Sequence, residues 1–220
     1  MTEHFSFINE EFFAFRAAPE QMDALWREGW RHFGAHFFRY NLGFYEYEIR
    51  RVLPLRIRLD DLKFSKSQRR VFNKNRDLET VIRPVRIDAE KESLFERHKR
   101  RFKSGVPRSI YDFLSDEPAV VPCEALEVCV FERGNLLAAS FFDVGEKSIS
   151  SIYAMFEPSA EKRSLGILTM LLEIRYALEF GKKFYYSGYA YEGNSFYDYK
   201  KRFSALENYD WRGGWETFAE

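Results

Sequence analysis

SISSIYAMFEPSAEKRSLGILTMLLEIRYALEFGKKFYYSGYAY, residues Ser148 to Tyr191, reads as a strand, a charged turn, an amphipathic helix and a second strand. Ile149, Ile152 and Tyr153 lie in a β-rich run, and Pro158 ends it because proline cannot donate to a sheet ladder. Leu165, Leu168, Thr169, Leu172, Tyr176 and Phe180 then recur at three- and four-residue spacing, which predicts a helix from about Ser164. Gly181 stops it by tolerating a left-handed backbone, and Lys183 to Tyr189 reads as a buried strand. The turn Arg163-Ser164-Leu165-Gly166 sets backbone N–H groups at a helix N-terminus, where unpaired donors and the helix dipole favour an anion. The pyrophosphate of coenzyme A or the phosphates of an RNA end would suit it. Gly166 also reads as a residue that lets the helix pack tightly on the sheet.

Upstream, Glu124 to Phe131, the turn Arg133-Gly134-Asn135 and Leu136 to Val144 form a hairpin, and Gly145-Glu146-Lys147 turns into the strand at Ser148. Three antiparallel strands, a helix and a further strand make a mixed sheet. Downstream, Tyr189, Tyr191, Tyr197 and Tyr199 cluster around Glu192-Gly193-Asn194, with Asn194 expected to cap a short helix to Phe203. Tyrosines suit stacking on a base or holding a carbonyl, and equally pack under a sheet edge.

Nearer the N-terminus, residues 1 to 18 read as an aromatic, extended lead-in. Pro19 to Ala35 reads as a helix with Met22, Leu25, Trp26, Trp30 and Phe33 on one face, and His36 to Tyr40 as a short strand. From Tyr45 to Leu59 the chain is extended, with Leu53, Leu55, Ile57 and Leu59 alternating against Pro54, Arg56 and Arg58. Ser65 with Gln68 three residues on is a capping box, so a helix begins there, exposing Lys66, Arg69, Arg70 and Lys74. Such a helix suits phosphate contacts, and a solvated basic face is the plain alternative. Leu78 to Ile87 is a further strand, Asp88 caps a helix to about Lys103, and Ile110 to Leu114 forms a short helix.

The 220 residues are 45% hydrophobic and 31% charged, ordinary for a soluble globular chain, so one large domain or two sharing a core is expected. Net charge is zero, yet Arg50 to Arg76 holds ten Lys/Arg against two Asp/Glu, which suggests one basic face. Two cysteines, Cys123 and Cys129, lack CxxC spacing and a nearby His in sequence, arguing against a disulfide scaffold or a zinc site. The first residues hold no apolar core of signal length, and no stretch reaches membrane-spanning length. A soluble, cytoplasmic protein without membrane partners is expected.

Several motifs occur together in order: GWRHFG at 29–34, PLRI at 54–57, FSKSQRRVFNKNRDL at 64–78, Asp143-Val144 and the Ser-x-Ile-Tyr segment. Glu157-Pro158, RSLG at 163–166, Ser187-Gly188-Tyr189, and YKKRF followed by Leu206-Glu207 complete the set. Across nearly the whole chain this resembles the aminoacyl-tRNA–protein transferases, the arginyl/leucyl-transferase family of the N-degron pathway. The SKSQRR and RSLG pieces carry most of the specificity. The resemblance implies an α+β fold: a GNAT-like acyltransferase core with a mostly antiparallel central sheet flanked by helices, plus an N-terminal α+β extension. Residues 1–62 would form the acceptor-recognition region and 63–220 the transferase domain.

It also implies transfer of Arg or Leu from aminoacyl-tRNA to the N-terminal α-amine of proteins bearing a destabilising N-terminal residue, marking them for degradation. The tRNA is the donor substrate and no cofactor is expected. An amine attacking an ester must lose a proton, and the tetrahedral oxyanion needs donors. Asp143 is the candidate to position or deprotonate the amine, with Tyr153 and Tyr189 as donors or stacking partners. Arg163, Ser164, Leu165, Gly166, Tyr191 and Lys200 would hold the tRNA 3′ end. Lys66, Gln68, Arg69, Arg70 and Lys74 would grip the acceptor arm. One departure stands out: the family's cysteine cluster before the PLRI-like strand is replaced by residues 40–48 without a cysteine, so no thiolate metal site is expected there. Tyr45, Glu46 and Tyr47 would form a metal-free acceptor pocket instead. An acyl-CoA-dependent GNAT enzyme using acetyl-CoA, and a non-catalytic tRNA or N-degron binding module, are the competing readings.

Overall fold

The computed structural model describes residues 6–103 and 105–219. It begins with β1 (Asn9–Phe13), α1 (Pro19–Arg27), β2 (Arg31–Phe33) and β3 (His36–Tyr40), and β1, β3 and β2 make a small antiparallel sheet. Pro19 opens α1 at the position that tolerates a missing N–H, and the Gln21 side chain caps the Ala18 amide at 2.8 Å. The helix expected to reach Ala35 stops at Arg27. Trp30 and Phe33 continue the three-and-four spacing, but Gly29 at φ +82° turns the chain into β2, whose Arg31, His32 and Phe33 pair with β3.

The second sheet holds β4 (Leu42–Tyr45), β5 (Glu48–Arg58), β6 (Glu79–Pro84), β7 (Ala125–Glu132), β8 (Asn135–Val144), β9 (Ser148–Phe156), β10 (Phe184–Tyr191), β11 (Leu206–Tyr209) and β12 (Trp215–Thr217). Its order is β12-β11-β5-β10-β9-β8-β7-β6, with β4 pairing β5. All pairings are antiparallel except β9 with β10. Thus β5, on the N-terminal side of residue 62, is an internal strand of the large sheet. The strand expected from Tyr45 is broken at Glu46 and Tyr47, both at positive φ, which form the β4–β5 turn.

Helices α2 (Lys66–Lys74) and α4 (Leu165–Glu179) cover one face of this sheet, α3 (Ala89–Lys99) the other. Leu165, Leu168, Leu171 and Ile174 of α4 meet Leu55, Ile57, Val128, Val130, Phe142 and Ile149. Alternate residues of the same strands, Cys129, Ala139, Phe141 and Met155, meet Leu94 and Phe95 of α3. Central strands are therefore apolar on both sides, and period two is weak in β7 to β9. Met22 and Trp26 of α1 pack with Phe37 and Tyr186 in a third cluster that ties the small sheet to the large one. The α3 helix ends at Lys99 rather than near Lys103. The short element after β10 is a 3-10 helix, Phe196–Lys201, capped by Ser195 rather than Asn194, because Ser195 Oγ accepts from the Tyr197 amide. Among the described residues no helix is long and apolar enough to cross a membrane.

Candidate functional site

Strands β9 and β10 pair in parallel over three positions only, from Phe184↔Ser148 to Tyr186↔Ser150. Both strands then run on, and each has a register shift just past that point: β10 between Tyr186 and Gly188 against β5, and β8–β9 between Phe141 and Phe142. Bulges bend strands, so the two part here and open a splay in the sheet. Arg31 of β2 fills it. Its guanidinium donates to Ser150 Oγ at 2.9 Å and to the Ser151 carbonyl at 2.7 Å.

Lys200 comes to the same place from the 3-10 helix and donates to the Tyr189 carbonyl at 3.0 Å. Gly188, at φ +87°, lies between the two cations: a Cβ there would sit 3.1 Å from Arg31 Cζ and 3.3 Å from Lys200 Nζ. Burial first, and the Arg31 charge second, pull the Lys200 ammonium down to about 7. Beneath, in the middle of α4, Glu173 is fully buried and accepts from Tyr185 Oη at 2.7 Å. Burial pushes its carboxyl up to about 7, against the pull of nearby hydroxyls and of Arg31. Arg31, Ser151, Tyr189, Tyr199 and Lys200 are each half-buried as whole residues. Two groups brought near neutrality beside a fixed cation are suited to exchanging protons.

The expected site residues divide around this point. Lys200 lies in the splay, and Tyr189 contributes its backbone carbonyl, while its hydroxyl turns away to the Gly29 carbonyl at 2.7 Å. Tyr191 packs against Tyr45 and Tyr197, and Lys200 Nζ lies 5.2 Å from the Tyr197 ring, so an aromatic path runs from the β4–β5 hairpin to the splay. Glu46 and Tyr47 sit exposed at the hairpin tip, beside a groove lined by Glu48, Arg50, Arg51 and Glu192. Tyr153 points to the α3 side, stacked on Phe113 at 4.0 Å, and burial raises its pKa. Asp143 is 1% exposed and bonded to His32 Nε2 at 2.8 Å, within the layer behind Arg31.

The two expected phosphate elements are joined. Asn75, at the end of α2, donates to the Arg163 carbonyl at 2.9 Å, and Lys74 Nζ bonds the Lys162 carbonyl. Lys66, Arg69, Arg70 and Lys74 are exposed, and the α4 N-terminus follows directly at Leu165. Ser164 sits at φ +57° and Gly166 approaches the Phe156 ring, where a Cβ would lie at 3.1 Å. Arg69 also donates to the Phe64 carbonyl, and two further expected grips are engaged inside the fold. Gln68 is buried in its capping box and donates to the Arg202 carbonyl, and the Arg163 guanidinium pairs with Asp77 and Glu132.

A family model described as arginine-tRNA-protein transferase, C terminus, matches residues 90–210. The chain belongs to this transferase family. Similar relatives include the aspartate/glutamate leucyltransferase of Xanthomonas axonopodis pv. citri (strain 306), 32% identical over 177 residues, covering 74% of this chain and 70% of the relative. The enzyme of that name from Xylella fastidiosa (strain M23) is 32% identical over 173 residues, covering 73% and 67%. Among solved structures, FemX aligns at a TM-score of 0.51 and 12% identity over 82% of this chain and 64% of that one, a likeness of fold. The transferase thus has the GNAT-like core, and the expected enzyme class, an aminoacyl-tRNA–protein transferase, stands.

Arg31, Glu173 and Tyr185 are what sequence reasoning missed. Arg31 lies inside the GWRHFG motif, and Glu173 is a carboxylate on the apolar face of TMLLEIRYA, so both left a signal. The β4–β5 hairpin offers no thiol, so a thiolate-held metal does not fit there.

Proposed function

We propose that this chain transfers leucine from leucyl-tRNA to the N-terminal α-amine of proteins beginning with aspartate or glutamate. The observation that carries the reading is the meeting of the Lys200 amine with the permanent charge of Arg31 over Gly188 in the splay, where burial and that charge pull the amine down to about 7. The names of the relatives support the choice of leucine and of acidic acceptors.

The acceptor's amine attacks the ester carbonyl. A C–N bond forms, the ester C–O bond breaks, and the amine's surplus proton passes to Lys200 and on to the departing 3′ oxygen of the tRNA. Arg31 faces the negative charge that develops on the carbonyl oxygen. The 3′ end enters past the α4 N-terminus, and the exposed cations of α2 meet acceptor-arm phosphates. The groove beside the β4–β5 hairpin takes the side-chain carboxylate of the acceptor's first residue through Arg50 and Arg51, leaving its α-amine to the splay.

The test is transfer from labelled leucyl-tRNA to peptides beginning with Asp or Glu, with arginyl-tRNA and acetyl-CoA as rival donors. Lys200→Met is expected to lower kcat by about 10²–10⁴-fold with KM for tRNA little changed. Undiminished turnover by that variant, or acyl transfer from acetyl-CoA alone, would sink the reading.

A further inference from the structure

Three side chains with no part in the transfer steps meet behind the splay. His32 comes from β2, Cys123 from the loop before β7 and Asp143 from the end of β8, and one donor atom of each lies within 4.8 Å of the others. All three are buried, at 3%, 5% and 1% exposure. His32 Nδ1 faces the Gly34 carbonyl at 2.9 Å, and a carbonyl only accepts, so Nδ1 carries the ring proton. In the neutral ring Nε2 then turns a lone pair toward Asp143 Oδ2, 2.8 Å away. Two lone pairs at that distance need a proton between them, on the ring or on the carboxyl, or a cation in its place. Asp143 Oδ1, buried as well, has no nitrogen or oxygen donor, and the Cys123 thiol is a weak donor toward the same carboxylate. One divalent ion would take the place of both protons and also engage the open carboxylate oxygen.

We propose that His32 Nε2, Cys123 Sγ and the Asp143 carboxylate bind one divalent transition-metal ion of the zinc class. Imidazole, thiolate and carboxylate together select such an ion over magnesium or calcium, which take oxygen ligands. The Gly34 carbonyl is the outer partner that metal-bound histidines almost always have, fixing tautomer and ring orientation. Bonds of about 2.0–2.2 Å in a tetrahedral arrangement require the His32–Asp143 pair to open by roughly half an ångström. On uptake the Cys123 thiol and the His32–Asp143 pair each lose one proton to solvent as the sulfur–metal and nitrogen–metal bonds form. The site ties three remote segments together, and β2, which it anchors, carries Arg31 as the residue next to His32. The spacing around Cys123 gives no hint of this, because both other ligands arrive through the fold.

The experiment uses the full chain, stripped with chelator and then titrated with Co²⁺ and with Zn²⁺. One equivalent of Co²⁺ is expected to bind with a thiolate-to-cobalt charge-transfer band, and Zn²⁺ to raise the Tm and displace the cobalt. Cys123→Ser and His32→Gln are expected to lose the band and to weaken affinity by more than about 100-fold, beyond the loss of an outer partner, while Cys129→Ser keeps both. X-ray absorption of the zinc-loaded wild-type protein, which needs no variant to fold, should report one sulfur with nitrogen and oxygen neighbours. A wild-type protein with no band and an unmoved Tm overturns the proposal, as does a band that survives Cys123→Ser or is lost in Cys129→Ser.

Discussion

Two groups of buried charge lie on the same sheet. On the α3 side, Glu127 is 0% exposed and Lys91 1%, and their charges are matched atom by atom. Glu127 Oε1 takes Arg83 at 2.7 Å and Lys91 at 3.2 Å, its Oε2 takes the Arg86 amide, and Lys91 also reaches Asp88 at 3.1 Å. In the splay, the charged neighbour that pulls Lys200 down is another cation, and Glu173 is met by a tyrosine and nearby serine hydroxyls. A buried charge that meets its opposite stays put and holds elements together. Where burial outweighs any opposite charge, as it does for Glu173 beside Arg31 and for Lys200, protonation is cheap in both directions near neutrality, which is what proton transfer needs.

Crossed substitutions sharpen the contrast most. Lys200→Met should cost about 10²–10⁴-fold in kcat with no loss of stability. Lys91→Met should leave turnover per folded molecule unchanged and cost about 3–5 kcal/mol in a urea melt, because Glu127 is left buried beside one cation fewer. If both variants lose the same property, the contrast fails. The sign for Lys200 follows from its lowered pKa. Between about 7 and the unfolded value near 10.4, the unfolded chain holds a proton that the folded chain lacks, so stability rises with pH across that window.

Glu173 runs the other way. Its folded pKa of about 7 stands above an unfolded value near 4.3, so the native state holds the extra proton in between and stability falls as pH rises through that range. Glu173→Gln should therefore stabilise the protein by on the order of 3 kcal/mol at pH 8 and hardly at all at pH 4. Melts at both pH values check this, and a gain that ignores pH would count against it. The smallest effect belongs to surface charge. Arg69→Ala with Arg70→Ala should flatten the dependence of tRNA affinity on salt by about 0.7–0.9 in log–log slope for each phosphate no longer neutralised, leaving kcat at saturating tRNA unchanged.

Local signals are easily read. The Ser65 capping box, the stop of α4 before Gly181 and β3 at His36–Tyr40 each depend on neighbours in sequence, and each is where the pattern puts it. The α1 boundary misleads because Trp30 and Phe33 keep helical spacing by coincidence: Trp30 packs in the cluster of Met22 and Trp26, while Phe33, on β2, packs in the cluster on the α3 side. The candidate site is half legible. Ser164, Gly166 and the α2 cations can be named because a helix terminus and a cationic face are local features. The meeting of Arg31, Glu173 and Lys200 cannot, since it depends on β2 docking over the splay where β9 and β10 part. Asp143 is legible as a strand-end carboxylate, but its partner His32 lies on a different sheet.

Gly188 has a consequence for the history of such a sequence. Its backbone angle strains any side chain, and a methyl there would meet the ends of Arg31 and Lys200 at 3.1 and 3.3 Å. Each replacement thus meets two costs at once, one in its own backbone and one in the two cations, which must yield by a few tenths of an ångström. Trimming Arg31 or Lys200 removes the second cost and leaves the first, so no change elsewhere in the splay makes this position neutral.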